Sequence, residues 1–181
     1  MADIDRSTVK ALARGEESAY TTVVDKLYRP VYHFALRLCH DSALAEDITQ
    51  ETFLAVWKRV ASFEGKSRFS TWVFGIAYRE FLRAREKQVV QTVPLDEQSF
   101  YDSREQTQSA DDQISVREAL EALPDLYRQV VFMVYIRGLT YREAAYVLDV
   151  PVGTLKSRMN HAFNILRDEL AEEEVTAHGL P

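Results

Sequence analysis

The stretch from residue 140 to 167 most constrains the fold, because its residue types specify two helices joined by a short turn. Thr140 and Glu143 have the spacing of a capping box, which predicts a helix over residues 141–148. Asp149-Val150-Pro151 follows, and proline favours the first position of a helix, where its missing N–H costs no hydrogen bond. The pattern therefore predicts a helix-turn-helix module.

The second helix of this module has two distinct faces when its residues are projected at about 100° per residue. The apolar face is predicted to pack on a core and consists of Val152, Leu155, Met159, Ala162, Phe163 and Leu166. The polar face consists of Lys156, Ser157, Asn160, His161, Asn164 and Arg167. It has no acid before Asp168, and its side chains suit base edges and phosphates. This favours DNA binding, although an ordinary amphipathic surface helix has the same periodicity.

Helical periodicity also extends over most of the remaining chain. With six glycines and five prolines among 181 residues, and no regular alternation of apolar and polar residues, helix is favoured over sheet. Pro30 is predicted to open a new helix at its first turn. The predicted helices before the module cover residues 7–13, 17–39, 42–60 and 71–88, with a loop over 61–70.

A polar, acidic stretch over residues 91–112 separates two helical blocks. It is rich in Gln, Ser, Asp and Glu and shows no helical period, which predicts an extended linker. We therefore predict an all-α chain of two small helical domains, at residues 1–90 and 113–170, joined by this flexible acidic linker. Residues 171–181 are predicted to form a frayed tail.

The net charge of −6 is distributed unevenly along the chain. Residues 61–90 carry a net charge of +3 and residues 126–167 carry +4, whereas residues 91–125 carry −7 and residues 168–181 carry −5. A phosphate backbone responds to the local field rather than to the charge of the whole chain. The distribution predicts two DNA-facing blocks with acidic connectors.

The predicted helix over residues 42–60 is apolar on more than one side. Asp47 and Gln50 lie on the same side as Phe53, Leu54 and Trp57, and a buried carboxylate needs a partner. Large aromatic side chains among polar groups are typical of a binding surface. The alternative is a central helix surrounded by its neighbours in a bundle, with Phe53 and Trp57 in the core.

A second candidate surface lies on and just before the next helix. Arg68, Trp72, Gly75, Arg79 and Arg83 project onto one side. An aromatic surface flanked by guanidinium groups suits unstacked bases and their phosphates, and a glycine permits close approach of another backbone. The alternative is that Trp72 belongs to the core and the arginines are solvated.

These segments resemble one protein family in the order in which they occur. Residues 139–159, above all Pro151-Val152-Gly153-Thr154-Leu155-Lys156-Ser157-Arg158, resemble domain 4 of extracytoplasmic-function sigma factors, which belong to the sigma-70 family. Residues 28–32, 45–53 and 69–73 resemble domain 2 of the same family. The family usually has glycine where Asp149 stands, and aspartate tolerates left-handed backbone better than most residues. It often has basic residues where His161 and Phe163 stand, so His161 puts the promoter sequence read by this helix in question.

The resemblance implies a role for each of three groups of residues. Domain 2 of the family docks on the β′ clamp helices of RNA polymerase, which implies docking through Asp47, Gln50, Glu51, Phe53 and Trp57. Domain 2 of the family also opens the −10 element and captures a flipped base. This implies DNA contacts from Phe63, Lys66, Arg68, Phe69, Trp72, Arg79 and Arg83. Recognition of the −35 element implies contacts from Arg142, Thr154, Lys156, Ser157, Arg158, Asn160 and His161.

The same resemblance implies partners. It implies core RNA polymerase, contacted at the β′ clamp helices and the β flap, together with promoter DNA and an anti-sigma factor. We expect no direct insertion into a membrane and no cofactor. The single cysteine and the lack of a visible signal peptide or long apolar span predict a cytoplasmic protein. The rival function is a stand-alone helix-turn-helix regulator, which would bind DNA tightly without polymerase.

Other classes of function find little support in the sequence. There is no glycine-rich phosphate loop and no plausible pair of nucleophile and base, which argues against an enzyme. Cys39, His33 and His40 lack any familiar metal-ligand spacing. His161 and His178 lie far from them in the sequence. A purely structural bundle would leave the two basic blocks unexplained.

Overall fold

The computed structural model describes residues 3–91, 119–120 and 122–177, and within these ranges it contains helices, turns and loops but no strand. The predicted all-α class is thereby confirmed, and the predicted linker lies almost entirely outside the described residues. The helices are α1 (Arg6–Ala13), α2 (Glu17–Cys39), α3 (Ser42–Arg59), α4 (Phe69–Gln91), α5 (Asp125–Val131), α6 (Tyr141–Val147) and α7 (Val152–Ala177). A 3-10 turn over Val60–Ser62 follows α3, and a π-helical turn over Phe132–Ile136 follows α5.

The N-terminal domain is a bundle of α1 to α4, in which α2 packs against each of the other three helices. Val23, Leu27, Val31 and Phe34 recur at helical spacing along α2 and are fully or almost fully buried. Asp41 caps α3, because its carboxylate accepts hydrogen bonds from two backbone N–H groups at 2.8 and 3.0 Å. This cap fixes where α3 begins and therefore which of its residues face outward.

The prediction that Pro30 opens a new helix is wrong, because α2 continues through it from Glu17 to Cys39. A proline inside a helix removes one backbone N–H donor. The buried residues Leu27, Val31 and Phe34 flank that position and hold the helix on the core across it. Tertiary packing therefore overrides the local effect of the proline.

Helix α3 is buried on two sides because it lies between α2 and α4. Seven of its residues are buried, including two threonines. The hydroxyl of Thr49 donates to the carbonyl of Ala45 at 2.7 Å, and that of Thr52 donates to the carbonyl of Ile48 at 2.6 Å. These bonds satisfy the two buried hydroxyls. Polar residues of α3 that have no such bond within the helix lie on its outward side.

The helix-turn-helix module has the predicted capping box. The hydroxyl of Thr140 accepts from the backbone N–H of Glu143 at 3.3 Å, and the Glu143 carboxylate accepts from the Thr140 N–H at 2.9 Å. Asp149 has left-handed backbone with φ of 52°, as the turn requires. Pro151 lies one residue before α7 rather than at its first position, and its carbonyl accepts the N–H of Leu155 at 3.1 Å.

Two predictions for α7 are wrong. The helix continues to Ala177, although residues 171–181 were predicted to form a frayed tail, because no glycine or proline occurs between residues 154 and 178. Phe163 is 41% exposed, although it was assigned to the apolar face. It lies at the edge of that face, where its ring packs edge-on against Tyr135 with 5.7 Å between centroids.

The two domains pack together through one continuous hydrophobic core, which the sequence did not indicate. Phe34 of α2 lies at its centre, with its ring centroid 5.3 Å from that of Phe74 and 6.1 Å from that of Phe132 in the C-terminal domain. Helix α6 packs along α4. The helix-turn-helix module is therefore held against the helix that carries most of the residues expected at the −10 element.

Candidate nucleic-acid interface

The outward face of α7 is open to solvent, as predicted. Lys156, Ser157, Asn160 and His161 are all exposed, and Arg142 on α6 is exposed beside them. Thr154 and Arg158 are half-buried. Among the residues that the structure describes, no carboxylate forms an ion pair with Lys156 or Arg142. The module thus presents a face of hydrogen-bonding and positively charged side chains on the second helix of the helix-turn-helix.

One residue of this face contacts a neighbouring helix, and another influences the N-terminal domain through its charge. The ring of His161 lies 5.9 Å from that of Tyr127 on α5, which orients the imidazole. Burial raises the pKa of the Tyr78 hydroxyl on α4, while the positive charge of Arg158 acts in the opposite direction. Arg158 therefore lies close enough to the N-terminal domain to influence it electrostatically.

The aromatic residues expected at the −10 element contact one another. Phe63, Phe69 and Trp72 form a cluster in which every pair of ring centroids lies between 5.3 and 5.5 Å apart. Phe69 is 2% exposed and Trp72 is 8% exposed. The expectation of an open stacking surface is therefore wrong for this conformation, because the three rings pack against one another and Phe69 and Trp72 are buried.

Arg68, at the entrance to α4, forms an ion pair with the capping-box residue of the other domain. Its Nε lies 3.1 Å from Oε1 of Glu143, and the Thr71 hydroxyl donates to the same oxygen at 3.3 Å. Burial alone would raise the pKa of Glu143, but the Thr140 hydrogen bonds, the Arg68 charge and Thr71 together lower it. A residue expected at DNA is thus paired with the helix-turn-helix.

The remaining basic residues of this surface are partly engaged within their own domain. Lys66 pairs with Glu64 in the loop before α4, and Arg83 pairs with Glu80 on α4 at 2.7 Å. Arg79 is half-buried. Gly75 does allow close approach, but its neighbour is Tyr146 of α6, whose Cε1 would lie 3.5 Å from an added Cβ.

The residues expected to bind polymerase divide between surface and core. Asp47, Gln50 and Glu51 are exposed on α3, and Trp57 is 39% exposed with its ring edge-on to Tyr20. Phe53 is 3% exposed and stacks on Tyr28, so its assignment to the surface is wrong. It lies on the side of α3 that packs against α2.

Leu54 lies on the same side of α3 as Gln50 and Trp57 and is 48% exposed, although it was not among the residues expected to dock on polymerase. Two further residues were missed by reasoning from the sequence. Tyr146 lies against Gly75, and Arg137 reaches the N-terminal domain. No sequence pattern indicates the last two, because their contacts depend on how the domains pack.

The described residues contain no group of three or more His, Cys, Asp or Glu side chains that could hold a metal ion. The Cys39 thiol instead donates to the backbone carbonyl of Asp41 at 3.2 Å, and burial raises its pKa. None of the described helices is long and apolar enough to cross a membrane. His178 lies outside the described residues.

Comparison with known proteins defines the class to which this architecture belongs. A family model described as sigma-70 region 2 matches residues 23–89, and a model described as sigma-70 region 4 matches residues 113–166. The first match lies within the four-helix N-terminal bundle, and the second includes the helix-turn-helix. The two regions of a sigma-70 family protein are thus present in order.

Individual relatives place the chain within a group of that family. It is 30% identical to the ECF RNA polymerase sigma factor SigK of Mycobacterium ulcerans, over 88% of this chain and 90% of the relative. It is 26% identical to SigW of Bacillus subtilis, over 92% of this chain and 97% of the relative. The chain belongs to the extracytoplasmic-function sigma factors. As such it directs core RNA polymerase to promoters, and sigma factors are initiation factors rather than enzymes.

Two solved structures are similar to the whole arrangement. The sigma factor RpoE of Bartonella quintana, in complex with the anti-sigma factor NepR, superposes with a TM-score of 0.60 at 26% identity, covering 84% of this chain and 96% of that one. CnrH, in complex with the cytosolic domain of CnrY, superposes with a TM-score of 0.65 at 21% identity, covering 93% and 97%. The second likeness concerns the fold alone.

Proposed function

We propose that α7 reads the −35 promoter element through Lys156, Ser157, Asn160 and His161. The observation that carries this proposal is an exposed helix face with no acid before Asp168, on a helix that follows a short turn from its predecessor. Such a helix fits the major groove, where lysine and asparagine side chains can hydrogen-bond base edges. We assign positioning on the phosphate backbone to Arg142, Thr154 and Arg158.

The outward side of α3 is proposed as the docking surface for the β′ clamp helices. Asp47, Gln50 and Glu51 supply polar contacts, and the exposed Leu54 and Trp57 supply apolar area among them. Aromatic side chains at the centre of a patch with a polar rim are typical of protein interfaces. Phe53 supports this surface from beneath rather than touching the partner.

The −10 element is proposed to engage the start of α4 after the bases unstack. Phe63, Phe69 and Trp72 would then accept a flipped base between their rings, once their mutual contacts rearrange. Lys66, Arg68, Arg79 and Arg83 would contact the adjoining phosphates. The cluster of three aromatic rings beside a basic loop supports this assignment, because stacking on aromatic rings contributes about 1–3 kcal/mol per base.

Further partners are proposed for the C-terminal domain and the whole chain. Tyr135, Ile136 and Phe163 are exposed close to one another and offer an apolar surface suited to the β flap. One similar structure is that of the sigma factor RpoE of Bartonella quintana in complex with the anti-sigma factor NepR. We infer that this chain is likewise controlled by an anti-sigma factor and acts in the cytoplasm.

The double substitution Lys156→Ala with Ser157→Ala tests the role of α7. Transcription by reconstituted holoenzyme on a promoter library should lose its dependence on the −35 sequence, while co-purification with core polymerase is unchanged. Lys10→Ala with Ser18→Ala, which removes the same residue types from exposed positions of the N-terminal domain, serves as the control. Unchanged promoter selection by the α7 variant would refute the assignment.

The rival function, a stand-alone regulator, makes an opposite prediction about polymerase. A sigma factor binds promoter DNA weakly until core polymerase is added, because the enzyme holds its two DNA-binding domains at the spacing of the promoter elements. A stand-alone regulator binds its site tightly as the isolated chain. Measuring promoter affinity with and without core polymerase separates the two functions.

A further inference from the structure

The first turn of α4 is preceded by a residue that cannot cap it. Arg68 comes directly before the helix, and its carbonyl accepts the N–H of Trp72 at 3.1 Å, which is the first hydrogen bond of the helix. A guanidinium carries only donors, so the Arg68 side chain cannot accept from the N–H groups of the first turn. Ser70, the second residue of α4, is fully buried, so its N–H needs an acceptor from another part of the protein.

Asp3, 67 positions earlier in the chain, supplies that acceptor. Its Oδ1 accepts from the N–H of Ser70 at 3.3 Å and from the Ser70 hydroxyl at 3.1 Å. The carboxylate lies at the end of the helix where the aligned peptide dipoles favour a negative charge. Asp3 therefore caps α4, a role that a residue at position 68 would fill in most helices.

The residues next to Asp3 hold it in place. Ile4 is buried in the core, and its N–H donates to Oδ1 of Asp3 at 3.0 Å. Asp5 caps α1, because its carboxylate accepts from the N–H and the hydroxyl of Thr8 at 2.9 and 2.7 Å. Asp3 thus lies directly before a buried side chain and a capped helix, which fix its position relative to α4.

The other end of the loop between α3 and α4 contacts the same part of the chain. Helix α1 packs against the 3-10 turn over Val60–Ser62, where this loop begins. The side chain of Val60 is buried in the same core as the apolar side chains of α1. Residues 3–13 therefore hold both ends of the loop over residues 63–68.

The turn that Asp3 caps carries residues assigned to the −10 element. Phe69 comes directly before Ser70, and Trp72 follows two residues later. Without the cap, the first turn of α4 would lose an acceptor for a buried N–H and would fray, so Phe69 would no longer keep its place beside Trp72. A carboxylate repels phosphate, so Asp3 acts through Ser70 rather than by contact with DNA.

We propose that Asp3 is a positioning residue for opening of the −10 element, which acts by holding the first turn of α4 in the geometry that receives unstacked bases. This inference rests on the proposed −10 role of that turn and of the loop before it. It gives a function in promoter opening to the segment before α1, which lies outside the part of the chain that matches sigma-70 region 2.

The test measures how fast reconstituted holoenzyme opens a promoter selected from the library by the unsubstituted holoenzyme, with 2-aminopurine in its −10 element. Asp3→Ala should open this duplex about three- to tenfold more slowly, the range expected for loss of a helix cap. Asp3→Asn should stay within about twofold of the unsubstituted chain, because an asparagine oxygen caps a helix about as well as a carboxylate. Both variants should retain co-purification with core polymerase and dependence on the −35 sequence.

A promoter whose −10 element is already unpaired separates positioning from a general loss of structure. Asp3→Ala should transcribe this template within about twofold of the unsubstituted chain, because the bases no longer have to be unstacked. An equal defect on duplex and unpaired templates would overturn the proposal, since the substitution would then act on the whole domain. Loss of core binding by Asp3→Ala would overturn it for the same reason.

Asp25→Ala is the matched control, because Asp25 is an exposed aspartate of the same domain, on α2. It should open the duplex promoter at the unsubstituted rate. Opening by Asp3→Ala at the rate of this control would overturn the role of Asp3.

Lys66→Ala with Arg68→Ala tests the proposed function on which the inference rests, because it removes two of the assigned phosphate contacts directly. If this double variant opens the promoter at the unsubstituted rate while Asp3→Ala is slow, those phosphate contacts fail and the role of Asp3 stands. If the double variant is slow while Asp3→Ala opens at the unsubstituted rate, the −10 role of the loop stands and the role of Asp3 fails.

Discussion

The DNA-facing sides of α7 and α4 differ in how far they are available in the isolated chain. On α7 the polar residues Lys156, Ser157 and Asn160 are exposed. At the start of α4, Trp72 is buried among other rings and Arg68 is paired with Glu143. A helix that reads intact duplex uses polar side chains, which can remain exposed to solvent in the free protein. A surface for unstacked bases uses aromatic rings, and large exposed apolar patches are unfavourable, so the protein keeps these rings buried until DNA binds. The mutual packing of Phe63, Phe69 and Trp72 provides that cover.

The largest effect should come from removing the ring at the centre of the shared core. Phe34→Ala should lower the free energy of unfolding by about 3–5 kcal/mol, because Phe34 is fully buried against Phe74 and Phe132. Urea denaturation followed by circular dichroism measures this change. Leu82→Ala, at a position that is 36% exposed, is the control and should cost less than about 1 kcal/mol. An equal loss in both variants would contradict the central position of Phe34 in the core.

An intermediate effect should come from the turn that orients α7. Asp149 has left-handed backbone with φ of 52°, which a β-branched residue adopts only with strain. Asp149→Val should therefore destabilise the chain by about 1–2 kcal/mol. Asp149→Gly should stay within about 0.5 kcal/mol of the original, because relief of strain offsets the greater entropy of the unfolded chain. Thermal unfolding of the two variants makes the comparison, and a glycine variant no more stable than the valine variant would contradict it.

The smallest effect should be a pH dependence of stability at the cap of α6. Burial alone would raise the pKa of Glu143, but the Thr140 hydrogen bonds, the Arg68 charge and Thr71 hold it below its ordinary value of 4.5, so the ionised carboxylate stabilises the folded chain fully at neutral pH. That contribution is lost as the pH falls from about 4.5 through the lowered pKa. Thermal unfolding of the unsubstituted chain should show a loss of less than about 1 kcal/mol over that range. Glu143→Gln should lack this component, and an identical acid response in both chains would contradict the assignment.

The sequence predicted features whose cause is local. The capping box at Thr140, the left-handed turn at Asp149 and the polar face of α7 depend on residues close together in the chain, and the structure has all three. Features that depend on distant contacts were missed or misjudged. Pro30 is carried inside a helix by core packing, and Phe53 is buried because α2 covers it.

The proposed binding surfaces show the same difference between features with local causes and features that depend on distant contacts. The outward residues of α3 could be predicted from periodicity, and Leu54 was available by the same reasoning. The pairing of Arg68 with Glu143 joins residues that are 75 positions apart, and no local pattern reports it. Reasoning from the sequence therefore finds which side chains suit a ligand but not which of them are already occupied.

The π-helical turn over Phe132–Ile136 makes the chain intolerant of a change in length at this point. The N–H of Arg137 donates to the carbonyl of Phe132, five residues earlier, at 3.0 Å, so the turn contains one residue more than an α-helical turn. Deleting one residue would restore α-helical geometry and rotate the next part of the chain by about 100°, which would direct Arg137 away from Pro30. In descendants that keep this domain packing, natural selection should remove insertions and deletions here even where it accepts substitutions.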